Sequence, residues 1–475
     1  MVFSNLIFLY LFLPACLLAY YFCKSIKAKN IVLVAFSLLF YAWGEPVYVL
    51  LLLASVGLNY GCGRLMGHFA EDAKKRKWAL VGAVIVNLAA LVVFKYAGLL
   101  VSSFNSLAGA SVPVPQIALP IGISFFTFQA MTYVIDVYRG QVKVQKSPLK
   151  FLLYISMFPQ LIAGPIVRYA DIAEQLDERS SSVEDVFRGL VRFSIGLGKK
   201  ILLADHAYNV CKALLDGGMS SVTVVGTWFG VLMFMFQIYF DFSGYSDMAI
   251  GLGRIFGFKY LENFNLPYMS VSITDFWRRW HMSLGTFFRD YVYIPLGGNR
   301  RHQILNLFVV WSLTGLWHGA SWNFLLWGLY FFALLVLEKK YYAKYKKKVI
   351  KPVRRLVNLL LILIGWAIFY FTDFGELGRA LAAMIGFAGG GFISTEAKIQ
   401  LLNNLLLLIA CVIGATPLPR IVGDAFGLLC ASDEPEGTKK KVYVIVSYVF
   451  CLTVIALSTI SLVGSGFSAF LYYRF

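Results

Sequence analysis

Charge is scarce in this chain: of 475 residues only 14% are charged while 59% are hydrophobic, and the mean hydropathy is +0.71. No soluble fold of this length needs so much apolar surface, and many runs reach or approach the roughly 20 residues that cross a bilayer as helix. The expected class is an all-α polytopic membrane protein. The seven cysteines, Cys16, Cys23, Cys62, Cys211, Cys411, Cys430 and Cys451, show neither paired nor metal-ligand spacing and mostly lie in apolar runs. They read as buried free thiols, which excludes a disulfide frame, and no metal is expected. There is no Gly-x-Ser-x-Gly, so a covalent serine intermediate has no support. Gly251-Leu252-Gly253 follows an acidic turn rather than a strand and carries no nucleotide signature. No tightly bound cofactor is expected. The segment from about Leu6 to Cys23 has no positive leading region and no small-residue cleavage site, so a retained helix is expected there.

Positive charge, by contrast, is in excess, with 43 Lys and Arg against 25 Asp and Glu. In a soluble chain a net +18 would suggest nucleic acid. Here the cations cluster in short loops between apolar runs, which cytoplasmic loop bias explains more simply, and no nucleic-acid partner is expected. Spans are expected near 6–23, 30–43, 46–63, 78–100, 118–137, 222–240, 303–318, 322–338, 356–373, 399–417 and 442–463, with further ones at 150–166 and 187–204. That makes about eleven to thirteen, in one membrane-embedded domain over 1–475. Within it, about 120–340 reads as the catalytic core, 1–117 as N-terminal helices and 341–475 as C-terminal helices. Lys24, Lys27 and Lys29, then Arg64 with Lys74 to Lys77, then Arg139, Lys143 and Lys146, then Lys339 through Arg355 and Lys439 to Lys441 fall on one side, expected to be cytoplasmic. The alternate loops at Gly44-Glu45 and Val101 to Val114 carry no Lys or Arg, which puts the N-terminus outside. Ser147 to Pro165 ends in Ala163-Gly164-Pro165 and reads as a re-entrant hairpin. Backbone broken at membrane depth must line a cavity or be buried in protein, so the middle of the chain is expected to surround a hollow.

Histidine is the rarest chemistry-bearing residue here, at five: His68, His206, His281, His302 and His318. His318 sits in Trp317-His318-Gly319-Ala320-Ser321-Trp322, inside a strongly apolar region. An ionisable group at membrane depth is costly and marks a reaction centre, a relay or an ion path; a packing histidine satisfied by a carbonyl is the competing reading. Gly315 lies three residues earlier on the same helical face, which makes a slot beside the imidazole an expectation. The second candidate, His281, falls on a helix expected to start at Thr274, where Trp277, His281, Leu284 and Phe288 share a face and Gly285 lies one turn on. Ser272 and Asp275 support that start as a weak capping box. An interfacial helix anchored by Trp and Arg would show the same pattern. The two histidines with glycine gaps are the natural pair for proton transfer near neutral pH. Trp317, Gln129, Gln237, Tyr245, Asp247 and Asn323 are tunnel-lining candidates, with interhelical hydrogen bonds as their plainer role.

Four segments together resemble the membrane-bound O-acyltransferases: Asp275-Phe276-Trp277-Arg278-Arg279-Trp280-His281-Met282-Ser283-Leu284, the run from Trp311 to Trp322, Phe158-Pro159-Gln160-Leu161-Ile162-Ala163-Gly164-Pro165-Ile166, and the opening Met1-Val2-Phe3-Ser4. The resemblance covers essentially the whole chain and is strongest to the bacterial branch that includes the membrane subunit of alginate O-acetylation and the peptidoglycan O-acetyltransferases. It implies a ring of helices with a cytoplasmic and an extracellular funnel, in the bacterial inner membrane. It also implies that His318 matches the family's essential histidine and His281 its second polar position. The implied reaction moves an acyl group from a cytoplasmic thioester, acetyl-CoA or a related acyl carrier, to an extracytoplasmic hydroxyl. The acceptor would be a polysaccharide or a partner protein that relays the acyl group. Length and opening motif favour acetyl over the D-alanyl-transferring relatives. Two other classes remain beside it. A polysaccharide or lipid-intermediate transporter would favour internal repeats, and none is visible. A non-catalytic cell-envelope scaffold would keep its function without His318.

Overall fold

Long apolar runs leave the backbone no partner but itself, and helices are the result. The computed structural model describes residues 1–216, 222–387, 389–425 and 438–465, and among them every regular element is helical. Seven of the described helices are long and apolar enough to cross a membrane, or eight when the bent pair Thr395–Asn403 and Leu405–Gly414 is taken as one span. Sequence reasoning expects more, because three apolar runs end up as shorter helices: Phe8–Phe22, Ile123–Tyr138 and Gln303–His318. The six described cysteines are free thiols, of which Cys16, Cys211 and Cys411 are buried and Cys23, Cys62 and Cys451 half-buried. Cys430 lies outside the described residues.

Two compact units emerge. The first holds Met1–Phe193 and Met248–Leu261. Its spanning helices are Ile26–Gly44, started by the Ser25 hydroxyl accepting from the Ala28 N–H, Val49–His68, and Ala73–Ala108, started by Asp72 accepting from the Lys75 N–H. Ile123–Tyr138 is buried at nearly every position, its polar Ser124, Thr127, Gln129, Thr132 and Asp136 included. The stretch from Ser147 is interrupted, as its Gly-Pro ending leads one to expect: Pro148–Ser156 breaks at Met157, and Phe158–Leu161 is a single turn. Its backbone is not left exposed. The Phe158 N–H donates to the Ser37 hydroxyl at 3.1 Å, and Gly122, at φ 76°, approaches the Leu161 carbonyl so closely that a Cβ there would lie 2.7 Å from the oxygen.

The second unit holds Ser194–Asp247 and the described residues from Glu262 to Ser465. One helix, Val224–Ile255, runs straight through Asp241 to Asp247, where an acidic turn was expected. The reason is charge pairing. Lys200 reaches Asp241 at 2.7 Å and Asp205 at 2.8 Å, and Lys199 reaches Asp247 at 2.6 Å, from the π-helical turn Lys199–Ala204. Gly244 lets that turn approach, since a Cβ there would sit 3.2 Å from the Lys200 nitrogen. A carboxylate neutralised in this way no longer has to end the helix. A second departure lies at the expected helix from Thr274: it splits into Ile273–Trp277 and Met282–Phe288, with His281 in the left-handed conformation at φ 46°, ψ 54° between them.

Candidate active site

Gln303–His318 and Trp322–Lys348 form a helical hairpin whose short connection begins at Gly319. Gly315 and Gly328 let the two backbones touch. A Cβ on Gly315 would overlap the Phe324 carbonyl oxygen and lie 3.1 Å from its carbon, and one on Gly328 would lie 3.2 Å from the Gly315 Cα. The slot expected beside Gly315 is therefore filled by the partner helix. Absence of a side chain here serves close backbone approach, and the reading of an open gap is corrected.

His318 ends its helix, buried at 3% exposure. Three aromatic rings meet its imidazole nearly edge-on: Trp317 at 5.0 Å, Trp327 at 4.8 Å and Phe369 at 5.4 Å between centroids. Such T-shaped contacts fix ring orientation while excluding water. His281 is also buried, with Phe242 perpendicular at 4.6 Å and Trp317 at 5.7 Å. Trp317 is thus a neighbour of both imidazoles. It joins the two candidates that the sequence singles out.

The segment around His281 is shaped by pairing with residues some eighteen positions earlier. The Met282 N–H donates to the Asn263 carbonyl at 3.0 Å and the Asn265 N–H donates to the Arg279 carbonyl at 2.9 Å. Those two bonds hold the turn in which His281 takes a backbone conformation costing a non-glycine residue about 1 kcal/mol. The Asn263 side-chain oxygen accepts from the Ser283 N–H at 3.1 Å and the Ser283 hydroxyl at 2.9 Å, and it faces His281 Nδ1 at 3.2 Å. His281 lies outside the spanning helices, and burial pushes its pKa down to about 3, so the ring is neutral.

Of the other candidates, Asn323 donates to the carbonyls of Ile368 and Phe369, tying the start of its helix to Lys351–Tyr370. Gln237, Tyr245 and Asp247 are buried on the long Val224–Ile255 helix, with Asp247 paired to Lys199. Gln129 belongs to the first unit, fully buried on Ile123–Tyr138, and neither end of its amide has a partner among the described residues. Sequence reasoning missed Asn263, Ser283, Trp327 and Phe369. Asn263 had a usable signal, a polar residue shortly before Pro267 and the segment that carries His281; the two aromatic residues had none among so many.

Comparison with known proteins agrees with the resemblance. The family model of the membrane-bound O-acyltransferases matches residues 109–374. The probable alginate O-acetylase AlgI of Azotobacter vinelandii is 37% identical, with all of both chains covered. The peptidoglycan O-acetyltransferase of Helicobacter pylori is 34% identical over 85% of this chain and 84% of its own. The teichoic acid D-alanyltransferase of Bacillus subtilis is 30% identical over 54% of this chain and 67% of its own. A match over more than half of the chain, together with a full-length relative, makes this polytopic protein a member of the membrane-bound O-acyltransferase family.

Proposed function

We propose that this protein moves an acetyl group from a cytoplasmic thioester to a hydroxyl presented outside the membrane, with His318 as general base. That it is an O-acyltransferase follows from its family; donor, acceptor and residue roles are the proposal. The observation that carries it is a pair of buried imidazoles sharing Trp317 as neighbour, one of them enclosed by three aromatic edges. In that setting a neutral His318 takes the proton of the acceptor hydroxyl as its oxygen attacks the thioester carbonyl carbon. The carbon–sulfur bond then breaks, and the leaving thiolate takes the proton back from the imidazolium. General-base catalysis of this kind contributes roughly 10²–10⁴-fold. Trp327 brings a buried indole N–H with no partner among the described residues, a donor available to the developing oxyanion.

The alginate and peptidoglycan names of the relatives favour an extracytoplasmic polysaccharide as final acceptor, reached directly or through a partner protein. The bacterial relatives favour the inner membrane, and loop charges favour an N-terminus outside. Purified protein supplied with radiolabelled acetyl-CoA and candidate polysaccharides tests the reading. Transfer is expected from the wild type and, at matched expression and monodispersity, a loss of about 10²-fold or more from His318→Ala. Full activity in that variant would remove His318 from the chemistry.

A further inference from the structure

Which nitrogen of a histidine carries the proton is set by what its other nitrogen meets. For His281 the hydrogen bonds decide it. The main-chain N–H of Ser283 can act as donor alone, so the Asn263 atom it meets at 3.1 Å is the amide oxygen and not the nitrogen. The same oxygen faces His281 Nδ1 at 3.2 Å. An amide oxygen has no proton to give, so Nδ1 must carry the hydrogen. The amide nitrogen is accounted for separately, donating to the Ser246 hydroxyl at 3.3 Å on the Val224–Ile255 helix. The amide is thus fixed at both ends.

We propose that Asn263 is a positioning residue that locks His281 in its Nδ1–H tautomer, leaving Nε2 unprotonated. Its consequence for catalysis rests on the acyl-transfer reading above; the tautomer does not. An unprotonated Nε2 can accept a hydrogen bond from an O–H or N–H group and cannot donate one to the thioester carbonyl oxygen. His281 then orients a reactant, and stabilisation of the oxyanion falls to another donor. The perpendicular Phe242 ring at 4.6 Å helps to keep the imidazole from turning over and exchanging its two nitrogens.

The test is nitrogen NMR on protein labelled with ¹⁵N-histidine in detergent, the His281 signals being those lost in His281→Gln. The wild type should show a protonated Nδ1 and an unprotonated Nε2. Asn263→Leu, with the same branched outline but without the acceptor, should show a mixture of tautomers and slower transfer. Ser283→Ala keeps its main-chain N–H and should leave the tautomer unchanged. A wild-type ring protonated at Nε2, or an Asn263→Leu ring still purely Nδ1–H, would overturn the lock. A changed tautomer with an undiminished transfer rate would leave the lock standing and reject the catalytic role of His281.

Discussion

Adding one methyl group at Gly315 should separate the two helices that carry the site. In Gly315→Ala the new Cβ would overlap the Phe324 carbonyl oxygen, lie 3.1 Å from its carbon and 3.3 Å from the Gly328 Cα. All three are backbone atoms, so no side chain can swing away. Restoring ordinary carbon–carbon separation requires the helices to part by roughly 1 Å. Strain of this sort in a packed interior costs about 1–3 kcal/mol. The larger effect should fall on the reaction, because His318 and Trp317 stand on one helix of the hairpin while Trp327 stands on the other. A misplacement of about 1 Å can cost ~10²-fold in rate. Acetyl transfer should therefore drop by one to two orders of magnitude in a protein that is still extracted as a monodisperse species, with a lowered melting midpoint. Gly285→Ala is the control, since at that exposed helical glycine a Cβ would meet nothing closer than the Trp277 carbonyl at 4.0 Å. Its helix should be unharmed, or stabilised by about 0.5–1 kcal/mol. Wild-type melting and transfer in Gly315→Ala would refute the packing argument.

Trp327→Phe keeps a ring beside His318 and deletes the indole N–H; if that group serves the oxyanion, the turnover rate should fall about 10²–10³-fold with little change in the half-saturating donor concentration, and an unchanged rate would exclude it. Lys200→Met leaves Asp241, itself 1% exposed, without its cation, a change worth about 3–5 kcal/mol. The double variant Lys200→Met with Asp241→Leu should recover most of the lost melting temperature; a single variant as stable as the wild type would show that the pair contributes nothing.

Much of this molecule is legible in its residues because membrane helices announce themselves by length and because rare groups stand out against an apolar background. His281 and His318 could be singled out in that way, and so could the interruption before Pro165. What could not be read is how distant segments fill the space that the sequence leaves. Gly315 told of room beside a helix, and room attracts either a ligand or a neighbour; the close return of Trp322–Lys348 decides for the neighbour. The helical spacing of Trp277, His281 and Leu284 was equally genuine, yet main-chain pairing with Asn263 and Asn265 offered those residues a competing conformation, and the helix gave way at His281.

The buried charges carry the lesson further. Two lysines at the end of one apolar run and two aspartates inside another could have been matched beforehand, since a charge at membrane depth needs an opposite one. Paired as Lys199 with Asp247 and Lys200 with Asp241, they are accounted for by the fold itself. The two histidines are met by aromatic rings, and His281 also by the Asn263 amide oxygen at its Nδ1. A buried polar group whose charge is cancelled by a neighbour needs no further explanation. Under the acyl-transfer proposal, imidazoles oriented by rings and an amide serve to exchange a proton or to accept a hydrogen bond, and that role would separate them from the ion pairs of the same unit.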